Sequence, residues 1–426
     1  MLNIPDSPHK RIVIIGAGFA GLNLAKNLRN TPFQVVLLDR NNHHQFQPLY
    51  YQVAMAGLEP SSISFPLRKL FQEDNNITIR LANVLKILTE KNRIETDHGE
   101  IYYDYLVMAM GAKTNFYGNH EIEEKSFGLK SVSEALFLRN AVFEDLEKSL
   151  TEPDYAQRQK LIDIAIVGGG PTGVELAGAL AEMKKFILPR DYRELNADEV
   201  DIFLIQSGDR LLPGMSKKSS DTALVYLEKL GVQVLLNQRV TAFDGERVTM
   251  DNGNSIPTKK VIWAAGITCS RIDGFDESQY TYGNRLKVDG NQRLEDFENI
   301  FAIGDQAYTE TKDWPRGHPQ VAQVAIQQAK HLSKVLLNKT QLEFVYKDLG
   351  SMATIGRNKA VVDLPKFTFK GFSAWVLWLV VHIRSLIGVR NRLIVMFNWL
   401  WNYITYDQSL RIIIKPFKKD KKNLKV

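Results

Sequence analysis

Three glycines near the N-terminus have the spacing needed to bind a pyrophosphate. Gly16, Gly18 and Gly21 follow an apolar run in the pattern Gly-x-Gly-x-x-Gly. In such a turn the first glycine bends the chain, the second lets the backbone approach the phosphates, and the third lets the following helix pack on the strand. Asp39 ends the next apolar run, 23 positions after Gly16, where a carboxylate can bind a ribose hydroxyl. The spacing therefore predicts a dinucleotide site.

The same pattern occurs a second time. Gly168, Gly170 and Gly173 repeat it 152 positions after the first copy. A hairpin and a buried strand ending on glycine also recur, as 93–99 with Gly111 and 247–253 with Gly266. One pattern is weak, but two after apolar strands indicate two tandem dinucleotide-binding units. Such a pair suits a bound FAD and a visiting nicotinamide dinucleotide, although the repeat alone leaves open that only one unit is occupied.

The elements that position these turns indicate an α/β chain with several domains. The 426 residues, 44% hydrophobic and 24% charged, suffice for two or three globular cores. A later strand, 299–303, precedes Gly304 and Asp305 and would return the chain to the first unit. We expect two tandem Rossmann-like domains followed by an amphipathic helical region. The expected boundaries are 1–115 with 290–343 for an FAD-binding domain, 116–289 for an NAD(P)H-binding domain, and 344–426 for the C-terminal region.

Cys269 is the only cysteine. A cysteine pair within one chain is therefore excluded, and with it flavin disulfide reductases and sulfide-oxidising enzymes, unless a partner supplies the second thiol. One cysteine also cannot ligate an iron–sulfur cluster, and we expect no metal. No uncharged apolar window approaches the 18 residues of a spanning helix, and the N-terminus lacks the apolar stretch of a signal peptide. We therefore expect the bulk of the chain in the cytosol.

Four segments together resemble a known family. They are His43–Ala54, Gly168–Gly178, Ile303–Asp305 and Ala322–Gln328. With them the chain resembles the two-dinucleotide-binding-domain flavoproteins over essentially its whole length and, among these, is similar to the type II NADH:quinone oxidoreductases. The last segment, Ala-Gln-Val-Ala-Ile-Gln-Gln, matches that family's quinone signature. The resemblance implies an enzyme that passes electrons from NADH through FAD to a membrane quinone without pumping protons.

The resemblance also implies roles for individual residues. The ADP half of FAD would be held by Gly16, Gly18, Phe19, Ala20, Gly21, Asp39 and Arg40. Its ribityl and flavin end would lie against Pro48, Gly111, Gly304, Asp305, Ala322 and Gln323. NADH would be held by Gly168, Gly170, Pro171, Thr172, Gly173, Glu175, Gln206 and Gly266, with Glu175 near the nicotinamide. The quinone would face Gln323 and Gln327, and Lys370 would approach the flavin.

Three of these side chains also have a plainer explanation. Gln323 and Gln327 are four positions apart and share one helical face, so their amides either donate to a quinone carbonyl or face solvent. Glu175 lies in the first turn of its helix, where a carboxylate interacts favourably with the helix dipole whether or not it orients a nicotinamide. The residue types leave both alternatives open, and the resemblance favours the functional ones.

Gln206 departs from the family pattern. It follows the second strand of the nicotinamide unit, where the family usually has an acidic residue for the ribose 2′-hydroxyl. A carboxylate would repel the 2′-phosphate of NADPH, whereas an amide would not. The sequence therefore leaves the choice between NADH and NADPH open. Arg210 is either a partner for that phosphate or a solvated arginine.

The C-terminal region is rich in aromatic and basic residues. Four of the six tryptophans lie in the segments 371–384 and 396–403. Lysines crowd the last dozen residues, at Lys415, Lys418, Lys419, Lys421, Lys422 and Lys425. Indole rings beside cations suit a membrane interface, although amphipathic core helices give the same pattern. We expect monotopic attachment to the cytoplasmic side of the inner membrane, with lipid, a lipid-soluble quinone and a second copy of the chain as partners, and no nucleic acid.

Two other functions also fit tandem dinucleotide units. A soluble ferredoxin or rubredoxin reductase of the same fold would reduce an iron–sulfur protein and should lack the tryptophan-rich region. A nicotinamide-sensing flavoprotein would act by binding a partner and would turn over slowly. NADH oxidation with a soluble quinone analogue distinguishes the three.

Overall fold

The computed structural model describes residues 2–406 and 410–414. The lysines of the basic C-terminal stretch, Lys415 onward, lie outside the described residues. The strands are β1 (Lys10–Ile15), β2 (Phe33–Asp39), β3 (His43–Gln45), β4 (Ser64–Pro66), β5 (Ile77–Leu81), β6 (Val84–Leu88), β7 (Arg93–Thr96), β8 (Gly99–Tyr102), β9 (Tyr105–Met108), β10 (Ala112–Thr114), β11 (Ile164–Val167), β12 (Ile202–Ile205), β13 (Val232–Leu235), β14 (Val240–Phe243), β15 (Arg247–Met250), β16 (Ser255–Pro257), β17 (Lys260–Trp263), β18 (Ile267–Cys269), β19 (Tyr280–Thr281), β20 (Arg285–Lys287), β21 (Ile300–Ala302), β22 (Ala307–Tyr308), β23 (Ser351–Thr354), β24 (Ala360–Asp363) and β25 (Thr368–Lys370). The helices are α1 (Phe19–Asn27), α2 (Tyr50–Ala54), α3 (Leu67–Leu70), α4 (His120–Lys125), α5 (Val132–Ser149), α6 (Tyr155–Ile162), α7 (Pro171–Phe186), α8 (Leu188–Asp191), α9 (Lys217–Lys229), α10 (Ala322–Leu336), α11 (Phe372–Ser385) and α12 (Val389–Thr405).

The chain divides into two compact units, each built from three separate segments. Unit 1 consists of the described residues up to Gln45, Ser64–Asn115 and Gly266–Gly350. Unit 2 consists of Phe46–Ile63, Phe116–Ala265 and the described residues from Ser351 onward.

Unit 1 contains a five-stranded parallel sheet in the order β21-β9-β1-β2-β5. The central strand β1 pairs with β2 and β9, so that Ile12 lies opposite Val35 and Tyr105. Its apolar run, like that of β2, is buried, as expected for parallel strands covered on both faces. The glycine turn follows β1 directly and leads into α1. The sheet thus presents the turn at its carboxyl edge, where this fold binds nucleotides.

Unit 2 repeats this arrangement with a four-stranded parallel sheet, β13-β12-β11-β17. β11 takes the place of β1, with Ile164 opposite Ile202 and Lys260. Each unit also has a three-stranded antiparallel sheet, β6-β7-β8 and β14-β15-β16, at the repeated hairpins. The predicted tandem Rossmann-like fold is therefore confirmed.

The C-terminal part of unit 2 combines a small sheet with helices. An antiparallel sheet, β23-β24-β25, precedes α11 and α12. The sequence predicts the helices, and the structure adds the sheet, which packs against α7 through β23. Among residues 2–406 and 410–414, no helix has the length and apolar character required to cross a membrane.

The unit boundaries differ from the expected domain boundaries in three places. Residues 266–289 join unit 1, because β18 pairs antiparallel with β10 and places Cys269 opposite Ala112. Phe46–Ile63 joins unit 2, where α2 packs against α5 and α7. The described residues from Ser351 onward are likewise grouped with unit 2. Each difference comes from contacts between residues far apart in the sequence.

Candidate functional site

In the first glycine turn, two glycines are required because a side chain would collide with the backbone. The third leaves space for a ligand. A Cβ on Gly16, whose φ is +103°, would lie 2.4 Å from the carbonyl oxygen of Ala109. A Cβ on Gly21 would lie 1.9 Å from the carbonyl oxygen of Gly16. A Cβ on Gly18, the N-cap residue of α1, would meet no protein atom within 4 Å. The backbone at Gly18 is therefore open to a ligand, at a helix N-terminus that favours phosphate.

Two side chains hold this turn in place. Asp39 Oδ2 accepts a hydrogen bond from Ala17 N at 2.7 Å. His44 places Nδ1 2.9 Å from the carbonyl oxygen of Ala17, and its ring contacts Phe19 edge-on. Burial lowers the pKa of His44 to about 4, so the ring is neutral at physiological pH. The sequence did not single out His44, although it lies in the His43–Ala54 segment that carries the resemblance.

The second turn has the same geometry as the first. A Cβ on Gly168, at φ +114°, would lie 2.5 Å from the carbonyl oxygen of Ala264, and one on Gly173 would lie 1.9 Å from that of Gly168. Gly170, the N-cap residue of α7, again has open space where a Cβ would be. Pro171 begins the helix and Thr172 follows it, both exposed. Each unit thus fits one dinucleotide.

Gln206 takes the place of the aspartate in this second turn. Its Oε1 accepts a hydrogen bond from Gly169 N at 2.8 Å. Arg210, the alternative phosphate partner, instead donates to the carbonyl oxygens of Met215 at 3.1 Å and Pro213 at 2.7 Å. The side chain at the position equivalent to Asp39 is therefore an uncharged amide.

Two of the predicted flavin-end residues, Gly304 and Asp305, lie in a short turn that packs against α10. Gly304, at φ +69°, lies so close to α1 and α10 that a Cβ would be 3.0 Å from the Cβ of Ala20. Its backbone N–H donates to Oε1 of the fully buried Gln328 at 2.7 Å. The carbonyl oxygen of Asp305 accepts from Cys269 Sγ at 3.1 Å, which makes Cys269 a buried structural thiol. Gln328 was missed, although it is the last residue of the signature segment.

Other predicted cofactor residues lie elsewhere or make no such contact. Arg40 is exposed after β2, and Gly111 has a φ of +69° with open space where a Cβ would be. Gly266 begins the last segment of unit 1, and Ala322 begins α10. Pro48 belongs to the Phe46–Ile63 segment of unit 2, not to the segments of unit 1. Its predicted role at the flavin stays a prediction.

Gln323 and Gln327 both bind the backbone of the segment 347–350. Gln323 donates through Nε2 to Gly350 O at 3.1 Å and accepts through Oε1 from Leu349 N at 3.0 Å. Gln327 makes the same pair of bonds to Lys347, with its O at 2.9 Å and its N at 3.0 Å. The two amides therefore hold this segment along α10 like a neighbouring strand. Neither simply faces solvent.

Glu175 lies in a cavity of about 150 Å³ within unit 2. Glu175 is only 8% exposed, and its Oε1 accepts from Trp378 Nε1 at 3.3 Å and from Thr354 N at 3.4 Å. Burial raises the pKa of Glu175 to about 8, because these two donors do not replace the lost water. The aromatic rings of the cavity wall come from α2, α7, α11 and the end of α12, namely Tyr51, Phe186, Trp375, Trp378, Trp399, Tyr403 and Tyr406.

The C-terminal segment contributes Trp378 and His382, but not Lys370, to the surroundings of Glu175. Lys370 ends β25 with an exposed side chain and does not line the cavity. Instead Trp378 reaches Glu175 from α11, and His382 stacks on Trp378 with ring centroids 3.9 Å apart. Burial lowers the pKa of His382 to about 4, so this ring is neutral. The only sequence signal for this pair was the aromatic composition of 371–384.

Two family models match this chain. The model for pyridine nucleotide-disulphide oxidoreductases covers residues 10–329, and that for the NDH2 C-terminal domain covers residues 349–405. The first model's name refers to a disulphide that a chain with one cysteine cannot form internally. Together the models cover both glycine turns, the first half of α10, and the helices α11 and α12.

Named relatives and solved structures agree with these models. The chain is 34% identical to the type II NADH:quinone oxidoreductase Ndh of Mycobacterium tuberculosis, covering 93% of this chain and 88% of the relative. It is 33% identical to NdhA of the same organism, covering 91% and 86%. Its fold matches that of NDH2 from Plasmodium falciparum, solved in complex with NADH, with a TM-score of 0.86 at 23% identity over 95% of this chain and all of the other. The chain therefore belongs to the type II NADH:quinone oxidoreductases, as its motifs predicted.

Proposed function

We propose that this protein transfers two electrons from NADH, and also from NADPH, through FAD to a lipid-soluble quinone at a membrane surface without pumping protons. The observation that carries the proposal is the duplicated turn, in which Gly18 and Gly170 each leave open space at a helix N-terminus. Two such sites support two dinucleotides, and a flavin reduced by a nicotinamide needs both. The relatives' names supply the quinone as acceptor.

Unit 1 supports FAD, whose ring would accept a hydride from the nicotinamide and pass two electrons on. Gly18 and the first turn of α1 would receive the pyrophosphate. Asp39 accepts backbone N–H groups of Ala17 and Asn41 with separate oxygens, each of which keeps a lone pair for a ribose hydroxyl. Gly304, fixed by Gln328, would let the chain pass close to the ribityl end. The residues of this unit fit the cofactor.

Unit 2 supports the reversible binding of a nicotinamide dinucleotide as a substrate. Gly170, Pro171, Thr172 and Gly173 would receive the pyrophosphate at the start of α7. Because Gln206 carries no charge, we propose that a 2′-hydroxyl and a 2′-phosphate are both accepted. Four positions into the helix, Glu175 would lie near the nicotinamide end of the same ligand, in the positioning role that the resemblance implies.

The cavity that contains Glu175 supports binding of the electron acceptor. Its volume of about 150 Å³ and its aromatic walls suit a flat apolar ring, since cavities of this order bind benzene-sized ligands. Because the pKa of Glu175 is raised to about 8, the group is protonated at neutral pH and can donate to an oxygen that gains charge. We therefore propose that the quinone ring enters this cavity.

We propose separately that Gln323 and Gln327 contact the quinone, as the resemblance implies. A primary amide has two N–H protons, and each glutamine uses one to hold the 347–350 segment. The second proton can still reach a quinone carbonyl, in which case the hydrogen bonds to the backbone fix the direction of that donor. The approach of Lys370 to the flavin likewise stays a prediction.

Membrane attachment is supported by the apolar surface of α11 and α12. The exposed apolar residues of these helices are Phe372, Val376, Val380, Val381, Val389, Leu393, Met396, Phe397, Leu400, Trp401 and Ile404. Arg390, near the start of α12, is also exposed and can contact anionic headgroups. We propose monotopic attachment on the cytoplasmic side, where NADH is available, and a homodimer, which light scattering of the detergent-solubilised protein would test.

The proposed reaction is tested by following both half-reactions in the purified protein. NADH should bleach the visible flavin absorbance, and a short-chain quinone should restore it. Steady-state turnover below about 1 per second with every quinone tried would contradict the proposal and favour a nicotinamide sensor. Faster reduction of an iron–sulfur protein than of any quinone would favour a ferredoxin reductase. Absence of acidification in sealed proteoliposomes during turnover tests the non-pumping part.

A further inference from the structure

One face of α7 carries a second carboxyl group into the cavity that contains Glu175. The residues of α7 that line this cavity include Glu175, Ala179, Glu182 and Phe186. Their spacing of four, three and four positions puts them in one stripe along the helix. Glu182 is therefore two turns from Glu175 along the same wall. The roles proposed above for Glu175 do not involve Glu182.

Glu182 lies closer to solvent than Glu175. Its side chain is partly exposed, whereas Glu175 is buried. It accepts a hydrogen bond from the backbone N–H of Arg357, and a Cβ on Gly356 would lie 2.8 Å from its Oε1. Arg357 and Asn402 also line this cavity. The cavity is thus lined by one partly exposed and one buried glutamate.

The charges around Glu182 leave it able to hold a proton. Burial raises the pKa of Glu182, and the cations of Arg357, Lys359 and Lys185 counteract this only in part. The guanidinium of Arg357 is turned toward α12, where it lies over the ring of Tyr406 at 3.6 Å and that of Tyr403 at 4.5 Å. It does not form an ion pair with Glu182 among the described contacts.

Tyr51 lines the same cavity as both carboxyl groups. Burial raises the pKa of the Tyr51 hydroxyl, and the charges of Glu175 and Glu182 raise it further. That hydroxyl accepts from Gln52 Nε2 at 2.8 Å, and Gln52 Oε1 accepts from Trp399 Nε1 at 2.7 Å. The bond from Trp399 fixes the orientation of the Gln52 amide, so that the Tyr51 oxygen receives an N–H and its own proton can be donated. A polar path therefore lines the cavity from Glu182 to Glu175.

The overall reaction requires one proton from water. NADH, one proton and a quinone give NAD⁺ and a quinol, so the hydride supplies two electrons and one proton and solvent supplies the other. If Glu175 gives its proton to a quinone oxygen, its O–H bond breaks, a quinol O–H bond forms, and a carboxylate remains in a buried site. Such a carboxylate is unfavourable until it is reprotonated. A neighbouring acid in contact with water would supply that proton.

We propose that Glu182 is this acid, and that it relays the solvent proton to Glu175 through Tyr51 and water in the cavity. The proposal rests on the proposed quinone reduction. Glu182 acts through Glu175 and does not touch the quinone, so it is a positioning and relay residue. In each turnover it releases one proton toward Glu175 and takes one from water, so its own charge is restored.

The test compares Glu182→Gln with Glu182→Asp. Glutamine keeps an acceptor for the Arg357 N–H but cannot release a proton, whereas aspartate keeps the acid. Anaerobic stopped-flow mixing with NADH should give a flavin-bleaching rate within about twofold of the wild type for both variants. Reoxidation by a short-chain quinone should slow at least tenfold in Glu182→Gln, with a larger solvent isotope effect, and recover in part with added acetate. Glu182→Asp should keep most of the rate. The exposed Glu194→Gln is the matched control.

The outcomes separate this proposal from the one on which it rests. If the wild type does not reduce any quinone, the proposed function fails. If the wild type reduces quinone and Glu182→Gln reoxidises at the wild-type rate with the same pH profile, the relay is wrong. If Glu182→Gln and Glu182→Asp both lose bound flavin and both half-reactions, the role of Glu182 is purely structural. That result would also overturn the relay proposal.

Discussion

The side-chain oxygen of Gln206 accepts a hydrogen bond from the backbone N–H of Gly169 at 2.8 Å. Asp39 makes the equivalent bond to Ala17 at 2.7 Å in the other unit. Gln206 thus keeps the aspartate's structural contribution to the turn without its negative charge. The turn does not require a carboxylate, so the charge at this position is free to determine the choice of nucleotide.

Replacing Gln206 by glutamate should make the enzyme selective for NADH. Glutamate has the shape of glutamine and keeps an oxygen for Gly169 N–H, but its charge repels a 2′-phosphate. We expect kcat/KM for NADPH, relative to NADH, to fall about tenfold or more, which corresponds to at least ~1.4 kcal/mol. Gln233→Glu, the same charge change on the exposed side of β13, is the control. An unchanged ratio in Gln206→Glu would show that the 2′ position lies elsewhere.

Glu175 should make the stability of the wild type fall as pH rises. Its folded pKa of about 8 lies above the ordinary glutamate value of 4.5, so between these values the folded state holds a proton that the unfolded state has lost. The linkage slope is about 1.4 kcal/mol per pH unit in this window, and the loss between pH 6 and 8 should be about 2 kcal/mol. Glu175→Gln removes this dependence.

The measurement is urea unfolding at pH 6 and pH 8, followed by tryptophan fluorescence. The difference in unfolding free energy between Glu175→Gln and the wild type should shift in favour of the variant as pH rises. Glu194→Gln, on an exposed position, should follow the wild type. A constant difference between Glu175→Gln and the wild type would mean that Glu175 is ionised across this range.

Much of the fold could be predicted because its signals are local. Gly16 and Gly168 each follow an apolar strand and precede a helix, and the repeat of that pattern sufficed to predict tandem units. The contact between Trp378 and Glu175 joins residues 203 positions apart. The placement of 266–289 in unit 1 depends on the pairing of β18 with β10. No periodicity within either segment reports such contacts, so they could not be predicted from one sequence.

Gln327 should protect the segment 347–350 from proteolysis. Its amide binds both backbone groups of Lys347, so Gln327→Ala would remove two hydrogen bonds, each contributing about 1 kcal/mol. We expect trypsin to cleave after Lys347 several times faster in this variant, as seen by mass spectrometry of brief digests. Gln341→Ala, on an exposed residue in the preceding segment, should leave the rate unchanged. Equal cleavage rates in the wild type and in Gln327→Ala would contradict the prediction that Gln327 holds this segment in place.

The exposed face of α12 should determine membrane binding. Phe397 and Trp401 are four positions apart and 61% and 58% exposed, so both rings can enter the interface together. Phe397→Ser with Trp401→Ser should reduce binding to anionic vesicles at least tenfold in a sedimentation assay while flavin content stays constant. Tyr282→Ser, at an 84% exposed ring in unit 1, is the control. Unchanged sedimentation of the double variant would exclude this face as the anchor.

The interleaving of the two units also constrains biosynthesis. Unit 1 is completed only by Gly266–Gly350, and unit 2 only by residues from Ser351 onward. Neither unit can therefore finish folding until at least 350 residues have been translated, which takes roughly 20 to 70 s at ordinary rates of synthesis. During that time β9 lacks its partner β21 until residue 302 is made, and α7 lacks the strand β23 that packs against it. A nascent chain of this design should depend on the ribosome surface and chaperones for longer than one whose domains follow each other in sequence.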